Sequence, residues 1–275
     1  MPQHHHGRNA RSAMSAAPIG IFDSGAGGLS ILSGIHQLLP AENLLYVADT
    51  AHAPYGPKGA DFIRARSEYI LQWFLQRGVK AVVVACNTAT TMAIADLRAH
   101  HSLPIIGVEP AVKPAAALSR SGVVGVLATQ GTISSNKFLH LKNRFNHQVE
   151  FIASACSGLV QEIERPDPDP LALRALLREF IEPMLARGAD TLVLGCTHYP
   201  LIRTEIQAIA GSNVAVVDAG DAVARELQRR LDEQGMLNAS SAAGQIEFFT
   251  SGDPVQQGHL LGRYWGRPLQ VTALP

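Results

Sequence analysis

Long apolar runs, net charge and cysteine are all scarce in this chain, and each shortage excludes something. The longest apolar stretches, such as Ala81 to Cys86, are strand-length. They fall far short of the ~20 residues that a membrane-spanning helix needs, so no membrane partner is expected. The chain opens without the charged-then-apolar plan of a secretory leader. Three cysteines, Cys86, Cys156 and Cys196, are too few and an odd number for a disulfide-stapled secreted domain. Free thiols in a reducing, cytoplasmic compartment are expected instead. The 23 basic and 23 acidic residues cancel, and no dense Lys/Arg run occurs, so a nucleic-acid partner is not expected. The cysteines lack CxxC spacing and only one has a histidine close by, which argues against structural zinc and leaves no metal site expected.

What is present is apolar material for a core: 47% of the 275 residues are hydrophobic and 17% are charged. The bulk of such a chain folds, and its length suits two modest domains. Residues 1–17, with His4, His5 and His6 among small residues, read as a disordered extension. From Pro18 onward, short apolar runs alternate with helical patterns. Ile19 to Phe22, Leu44 to Ala48, Ala81 to Ala85, Ile105 to Val108, Val123 to Leu127, Thr191 to Leu194 and Val214 to Val217 read as parallel strands covered on both faces. Arg64 to Gln76 and Leu171 to Ala186 read as helices stopped by Gly78 and Gly188, the second with a kink at Pro183. The class is α/β with open, mostly parallel sheets.

The two halves of the chain resemble each other. Arg77, Gly78, Val83 and Cys86 coincide with Arg187, Gly188, Val193 and Cys196 at an offset of 110 residues. Ile105 to Ala111 lies over Val214 to Gly220 at an offset of 109, and Gly20 to Phe22 over Gly125 to Leu127 at 105. Three matches in order at nearly one offset predict two pseudo-symmetric domains. One would span 18–111 plus 220–275 and carry Asp23 and Cys86; the other would span 112–219 and carry Cys196. Open parallel sheets bind ligands beyond the carboxyl ends of their strands. A cleft between the halves would therefore place two thiols on opposite sides of one small ligand.

Each thiol is followed by polar residues, Asn87-Thr88 or Thr197-His198, instead of more core. A following helix N-terminus would lower the thiol pKa, which the spacing predicts for both. Cys156 lacks such a setting and reads as structural. Asp23 to Gly28 forms a glycine-rich turn before a helix, suited to a small carboxylate or amine, with Asp23 free either to meet an ammonium group or to cap the helix. It is no dinucleotide fingerprint, because the third glycine position holds Ser30. Ala53 to Gly59 is a rigid loop that could present Tyr55. Thr129 to Thr132 supplies hydroxyls that could equally be a helix cap. His36, His52, His100, His101, His140, His147 and His259 read as solvated or structural. On these residues alone, a two-thiol proton-transfer enzyme, a cysteine-nucleophile amidohydrolase using His198, and an amino-acid-binding protein all stay open.

Asp23-Ser24-Gly25-Ala26-Gly27-Gly28, Pro54-Tyr55-Gly56, Cys86-Asn87-Thr88-Ala89-Thr90, Gly125 to Thr129 with Gly131-Thr132, and Gly195-Cys196-Thr197-His198-Tyr199-Pro200-Leu201 together resemble the aspartate/glutamate racemase family, in its glutamate-specific branch. The resemblance runs in order from about Pro18 to the mid-250s. It implies a cofactor-independent racemase that interconverts L- and D-glutamate for peptidoglycan, with aspartate as the alternative substrate. It implies Cys86 and Cys196 as proton donor and acceptor assisted by Asp23 and His198. It implies substrate binding by Asp23, Ser24, Tyr55, Gly56, Asn87, Thr88, Thr197 and His198. The family's Cys-Pro motif followed by a glutamate is replaced by Cys156-Ser157, with Glu162 and Glu164 as candidates and Glu164 the better spaced. A homodimer and activation by a cell-wall precursor are properties of some members. No pyridoxal-type signature surrounds Lys58, Lys80, Lys113, Lys137 or Lys142, so no cofactor is expected.

Overall fold

Ten strands build two sheets in the computed structural model, which describes residues 15–275. The His4 to His6 triplet and most of the expected extension 1–17 lie outside the described residues. In chain order the strands are β1 (Ile19–Asp23), β2 (Leu44–Ala48), β3 (Ala81–Val84), β4 (Ile105–Gly107), β5 (Val123–Ala128), β6 (Glu150–Ala155), β7 (Thr191–Gly195), β8 (Ala215–Val217), β9 (Ile246–Thr250) and β10 (Val271–Ala273). The first sheet runs β10-β9-β2-β1-β3-β4 and the second β6-β5-β7-β8. Every pairing is parallel.

The order β2-β1-β3-β4 is repeated as β6-β5-β7-β8, so the internal matches correspond to equivalent strands: β1 to β5, β3 to β7 and β4 to β8. All seven expected strand segments carry strands, with ends within one residue. Their continuous apolar runs have a direct cause. In β1 to β3, Ile19, Ile21, Tyr46, Ala81 and Val83 pack into one buried cluster, while Phe22, Leu45, Val47, Val82 and Val84 pack into another on the opposite face. Helices cover both faces, and each fully buried large side chain contributes roughly 1.5–3 kcal/mol.

Three strands were not expected. β6 lies at an edge with Glu150 and Ala153 exposed, so it carries no continuous apolar run. β10 is three residues long, and β9 interrupts its apolar run with exposed Glu247. β9 pairs with β2, and β10 with β9, extending the first sheet on one side.

The helices Ala60–Gln76 and Pro170–Ala186 end alike. Gly78 and Gly188 take φ of +67° and +87°, a region that is easy only for glycine. Gly78 N–H donates to Leu75 O at 3.0 Å and Val79 N–H to Phe74 O at 3.4 Å. Gly188 and Ala189 donate to Leu185 and Met184 at 2.9 and 3.1 Å. These paired bonds satisfy the orphan carbonyls of each helix end and turn the chain into β3 and β7. Pro183 sits inside the second helix, which continues to Ala186.

Candidate active site

The carboxyl ends of β1, β3 and β7 bring Asp23, Cys86 and Cys196 into one buried region. Asp23, the last residue of β1, is fully buried. Its Oδ1 accepts the Gly25 N–H at 2.8 Å, and its Oδ2 accepts the Thr197 hydroxyl at 2.8 Å. Asp23 therefore braces its own turn and reaches the strand end of the second sheet. It does not cap the helix Leu29–Leu38, whose first residues have no side-chain cap. Burial pushes the Asp23 carboxyl up to about 6, against the opposing pull of His198 and the bonds from Gly25 and Thr197.

Cys86 is the N-cap of the helix Asn87–His100, its Sγ accepting the Ala89 N–H at 3.5 Å. The Ser24 hydroxyl stands 3.8 Å from the same sulfur. The expectation that the helix N-terminus lowers this thiol is overturned. Burial comes first and the Asp23 charge second, and together they push Cys86 up to about 12, outweighing the Ala89 and Ser24 contacts. Cys196 departs from the expectation differently. No α-helix starts behind it; a short 3₁₀ turn, Tyr199–Ile202, with Pro200 inside, comes first and the helix begins only at Arg203.

The second thiol has its own partners. His198 Nδ1 lies 3.8 Å from Cys196 Sγ, and its Nε2 lies 2.7 Å from Glu164 Oε1. Burial works against protonation of this imidazole, but its contacts with Cys196 and Glu164 win and hold it well above the ordinary histidine value. Glu164 ends the short helix Leu159–Glu164 and also accepts the Ala26 N–H at 2.7 Å. Burial raises its carboxyl, but His198 and Ala26 outweigh that and set it below the usual range. Glu162 instead accepts from Arg165 and from the Asp169 N–H. Of the two glutamates, the structure brings Glu164 to the site.

The remaining expected residues gather around the same ends. Asn87 is buried, and its amide nitrogen has no hydrogen-bond partner. A buried amide donor left unsatisfied is a costly feature, which a polar ligand would relieve. Thr88 Oγ1 meets Thr129 Oγ1 at 3.0 Å, joining the two strand-end regions, and Thr129 also caps its own short helix. Tyr55 is buried with its hydroxyl donated to Asp49 Oδ2 at 2.6 Å, so that hydroxyl is already occupied. Gly56 abuts the Thr129 side chain: a Cβ placed there would lie 3.3 Å from Thr129 Cβ. Asp49 and its partner Arg66 escaped sequence reading, because they lie 17 residues apart and meet only through the way the helix Ala60–Gln76 packs in the fold. Cys156 is buried in the same apolar cluster of the second half as Cys196, and burial pushes its thiol up to about 12.

The site is closed. Cys86 and Cys196 are 5% and 6% exposed, and Asp23, Asn87, Thr88, Thr197 and His198 are no more than 4% exposed. A small crevice is lined by Asn87, Cys196 and Thr197. Among the described residues, no group of three or more His, Cys, Asp or Glu side chains is arranged to hold a metal ion. No described helix is long and apolar enough to cross a membrane.

Fold and site together define a two-sheet α/β enzyme with one thiol at the matching strand end of each half. The chain belongs to the Asp/Glu/Hydantoin racemase family, whose family model matches residues 19–227. It is 52% identical to a glutamate racemase of Methylococcus capsulatus over 94% of this chain and 95% of that one. Glutamate racemase isoform RacE1 from Bacillus anthracis superposes with a TM-score of 0.87 at 30% identity, covering 95% and 98% of the two chains. The Escherichia coli glutamate racemase in complex with L-glutamate and activator UDP-MurNAc-ala superposes with a TM-score of 0.80 at 33% identity, covering 94% and 97%. The protein is an isomerase, an amino-acid racemase.

Proposed function

We propose that the protein interconverts L- and D-glutamate without a cofactor, one of Cys86 and Cys196 taking the Cα proton from one face while the other gives its own proton to the opposite face. The observation that carries this reading is the pairing of like positions. Each thiol stands within two residues of the end of the equivalent strand of its half, and each has a separate ionisable partner, the Asp23 charge acting on Cys86 and the His198–Glu164 pair beside Cys196. Racemisation removes a proton from one face of Cα and returns one to the other, so a base and an acid on opposite faces are the minimum equipment. An acyl-transfer mechanism needs only one thiol.

With D-glutamate, Cys86 as thiolate takes the Cα proton and the C–H electron pair stays on Cα, delocalised toward the carboxylate. The Cys196 S–H then donates its proton to the opposite face, leaving Cys196 as thiolate. L-glutamate reverses the roles. A thiolate in a buried site is a stronger base than one in water, which helps against a weakly acidic C–H bond. Burial and the Asp23 charge favour the protonated Cys86 thiol. A substrate ammonium group placed against Asp23 would offset that charge and release the thiolate where it is needed. Asn87, Thr88, Thr197 and nearby backbone N–H groups would bind the carboxylates, and fixed donors in a dry site stabilise charge that develops during the reaction.

Substrate entry into so closed a site calls for movement of one half against the other. We place the two domains at 18–111 plus 220–275 and 112–219, with the two crossings near Ala111 and Ala219 as hinges. The product role is supply of D-glutamate for peptidoglycan.

Separate Cys86→Ser and Cys196→Ser variants, assayed with each enantiomer in D₂O, test the mechanism. Wild type should incorporate solvent deuterium at Cα during turnover, and each variant should lose racemisation by at least about a hundredfold, the lower end of what a positioned acid or base supplies. Near-normal racemisation by both variants would end the two-thiol reading. Circular dichroism with D-glutamate and D-aspartate side by side measures the substrate preference.

A further inference from the structure

Resting on that reading, we infer that Arg66 is a positioning residue: through Asp49 it holds the Tyr55–Gly56 loop against the second half and so governs substrate binding. Arg66 lies on the helix Ala60–Gln76, outside the motifs that carry the family resemblance. Its Nη2 donates to Asp49 Oδ1 at 2.7 Å and its Nε to Asp49 Oδ2 at 3.1 Å, a two-pronged clamp. Asp49 is completely buried immediately after β2. Its carboxylate also accepts the Tyr55 hydroxyl at 2.6 Å and meets His52 Nδ1 at 3.0 Å, so both oxygens are engaged.

The clamp is tied to the site on both sides. The Asp49 N–H donates to the Asp23 carbonyl at 2.9 Å, fixing the end of β2 beside the end of β1. On the far side, Gly56 packs against Thr129, and a Cβ on Gly131 would come within 2.9 Å of the Gly56 carbonyl oxygen. Thr129 in turn meets Thr88, two residues after Cys86. The loop thus forms one wall of the seam between the halves, and Asp49 decides where that wall stands.

A buried carboxylate needs a matched partner, and only the planar guanidinium fork engages both of its oxygens at once. Without Arg66 the Asp49 charge loses its two-pronged partner and keeps only the single contacts from His52 and Tyr55. The carboxylate must then take up a proton or admit water, and Tyr55 loses its fixed acceptor. No reacting group is touched, so the defect should fall on binding and leave the proton-transfer step largely intact.

The experiment uses the full chain as wild type, Arg66→Met, Arg66→Lys and Tyr55→Phe, with racemisation followed in both directions and thermal midpoints measured alongside. Arg66→Met should raise KM for both enantiomers about tenfold to a hundredfold, with kcat within about threefold, the pattern expected when an interaction made equally in ground and transition state is lost. Arg66→Lys, which keeps charge but not the fork, should fall between. Tyr55→Phe keeps the ion pair and should reproduce the rise in KM with a near-normal midpoint. It decides the matter if Arg66→Met fails to fold. Wild-type KM in Tyr55→Phe, or a lowered midpoint with unchanged KM in Arg66→Met, overturns the assignment alone. Absence of glutamate racemisation by wild type sinks the functional reading and this assignment with it.

Discussion

Glu164 Oε1 lies 2.7 Å from His198 Nε2, and the other nitrogen of the same ring lies 3.8 Å from Cys196 Sγ. The same glutamate oxygen accepts the Ala26 N–H at 2.7 Å, so one carboxylate ties the glycine-rich turn of the first sheet to the imidazole beside the second thiol. This chain of contacts sets the charge on His198, and changing it has consequences for activity and for stability.

Replacing Glu164 with Gln removes a contact that favours the imidazolium and leaves burial, which disfavours it. The basic limb of the kcat/KM pH profile should move to lower pH. At neutral pH the rate should drop about tenfold to a hundredfold, less than loss of a direct proton carrier would cause. Stability follows by linkage. His198 is raised above its ordinary 6.5, so its contribution is fully present below that value and fades as pH rises through the higher folded-state value. Glu164 is lowered from 4.5, so its contribution is present above that pH and fades as pH falls. The thermal midpoint difference between wild type and variant should therefore peak between pH 4.5 and 6.5; a difference independent of pH would sink this account.

Asp23 runs the other way. Its folded-state pKa of about 6 lies above the ordinary 3.8, so the unfolded chain releases this proton first. Its contribution to stability is greatest below 3.8 and declines as pH rises to about 6, after which the loss is complete. Two pKa units correspond to about 3 kcal/mol. Asp23→Asn should then be more heat-stable than wild type at pH 7.5 while losing most racemase activity, a trade of stability against function at a strained site. Calorimetric melts at pH 4 and pH 7.5 check this: the gain should be small at the lower pH and large at the higher.

Gly27 has no room for a side chain. A Cβ there would sit 2.5 Å from His198 Nδ1, 2.6 Å from Thr197 Oγ1 and 2.7 Å from the His198 backbone nitrogen. Backbone cannot swing aside as a flexible side chain does, so Gly27→Ala must push the two sheet ends apart where Thr197 and His198 face the turn. Steady-state racemisation should fall at least about a hundredfold, the order of effect that a displacement of ~1 Å produces near reacting groups. Far-ultraviolet circular dichroism should stay unchanged; wild-type kinetics in this variant would show that the turn does not position these residues.

Much of this protein was legible along the chain because its signals are local. Continuous Val, Ile and Leu runs mark strands buried on both faces, positive-φ glycines mark helix ends, and the near-constant offset between Cys86 and Cys196 marks two like halves. β6 escaped because an edge strand with one solvated side shows no continuous apolar run, and β10 because three residues carry no pattern.

The site divides along the same line. Sequence by itself determined which residues stand at the strand ends: Asp23 closes β1, Cys86, Asn87 and Thr88 come after β3, and Cys196, Thr197 and His198 come after β7. Only the tertiary structure decided their company and their charge. Glu164 rather than Glu162 meets His198, Arg66 meets Asp49 across a helix–strand interface, and burial raises the Cys86 thiol where helix position alone suggested the reverse. The physical reason is that chain position sets which backbone groups are near a side chain, whereas desolvation and ion pairing depend on everything packed around it. That surrounding exists only once the two halves close on each other.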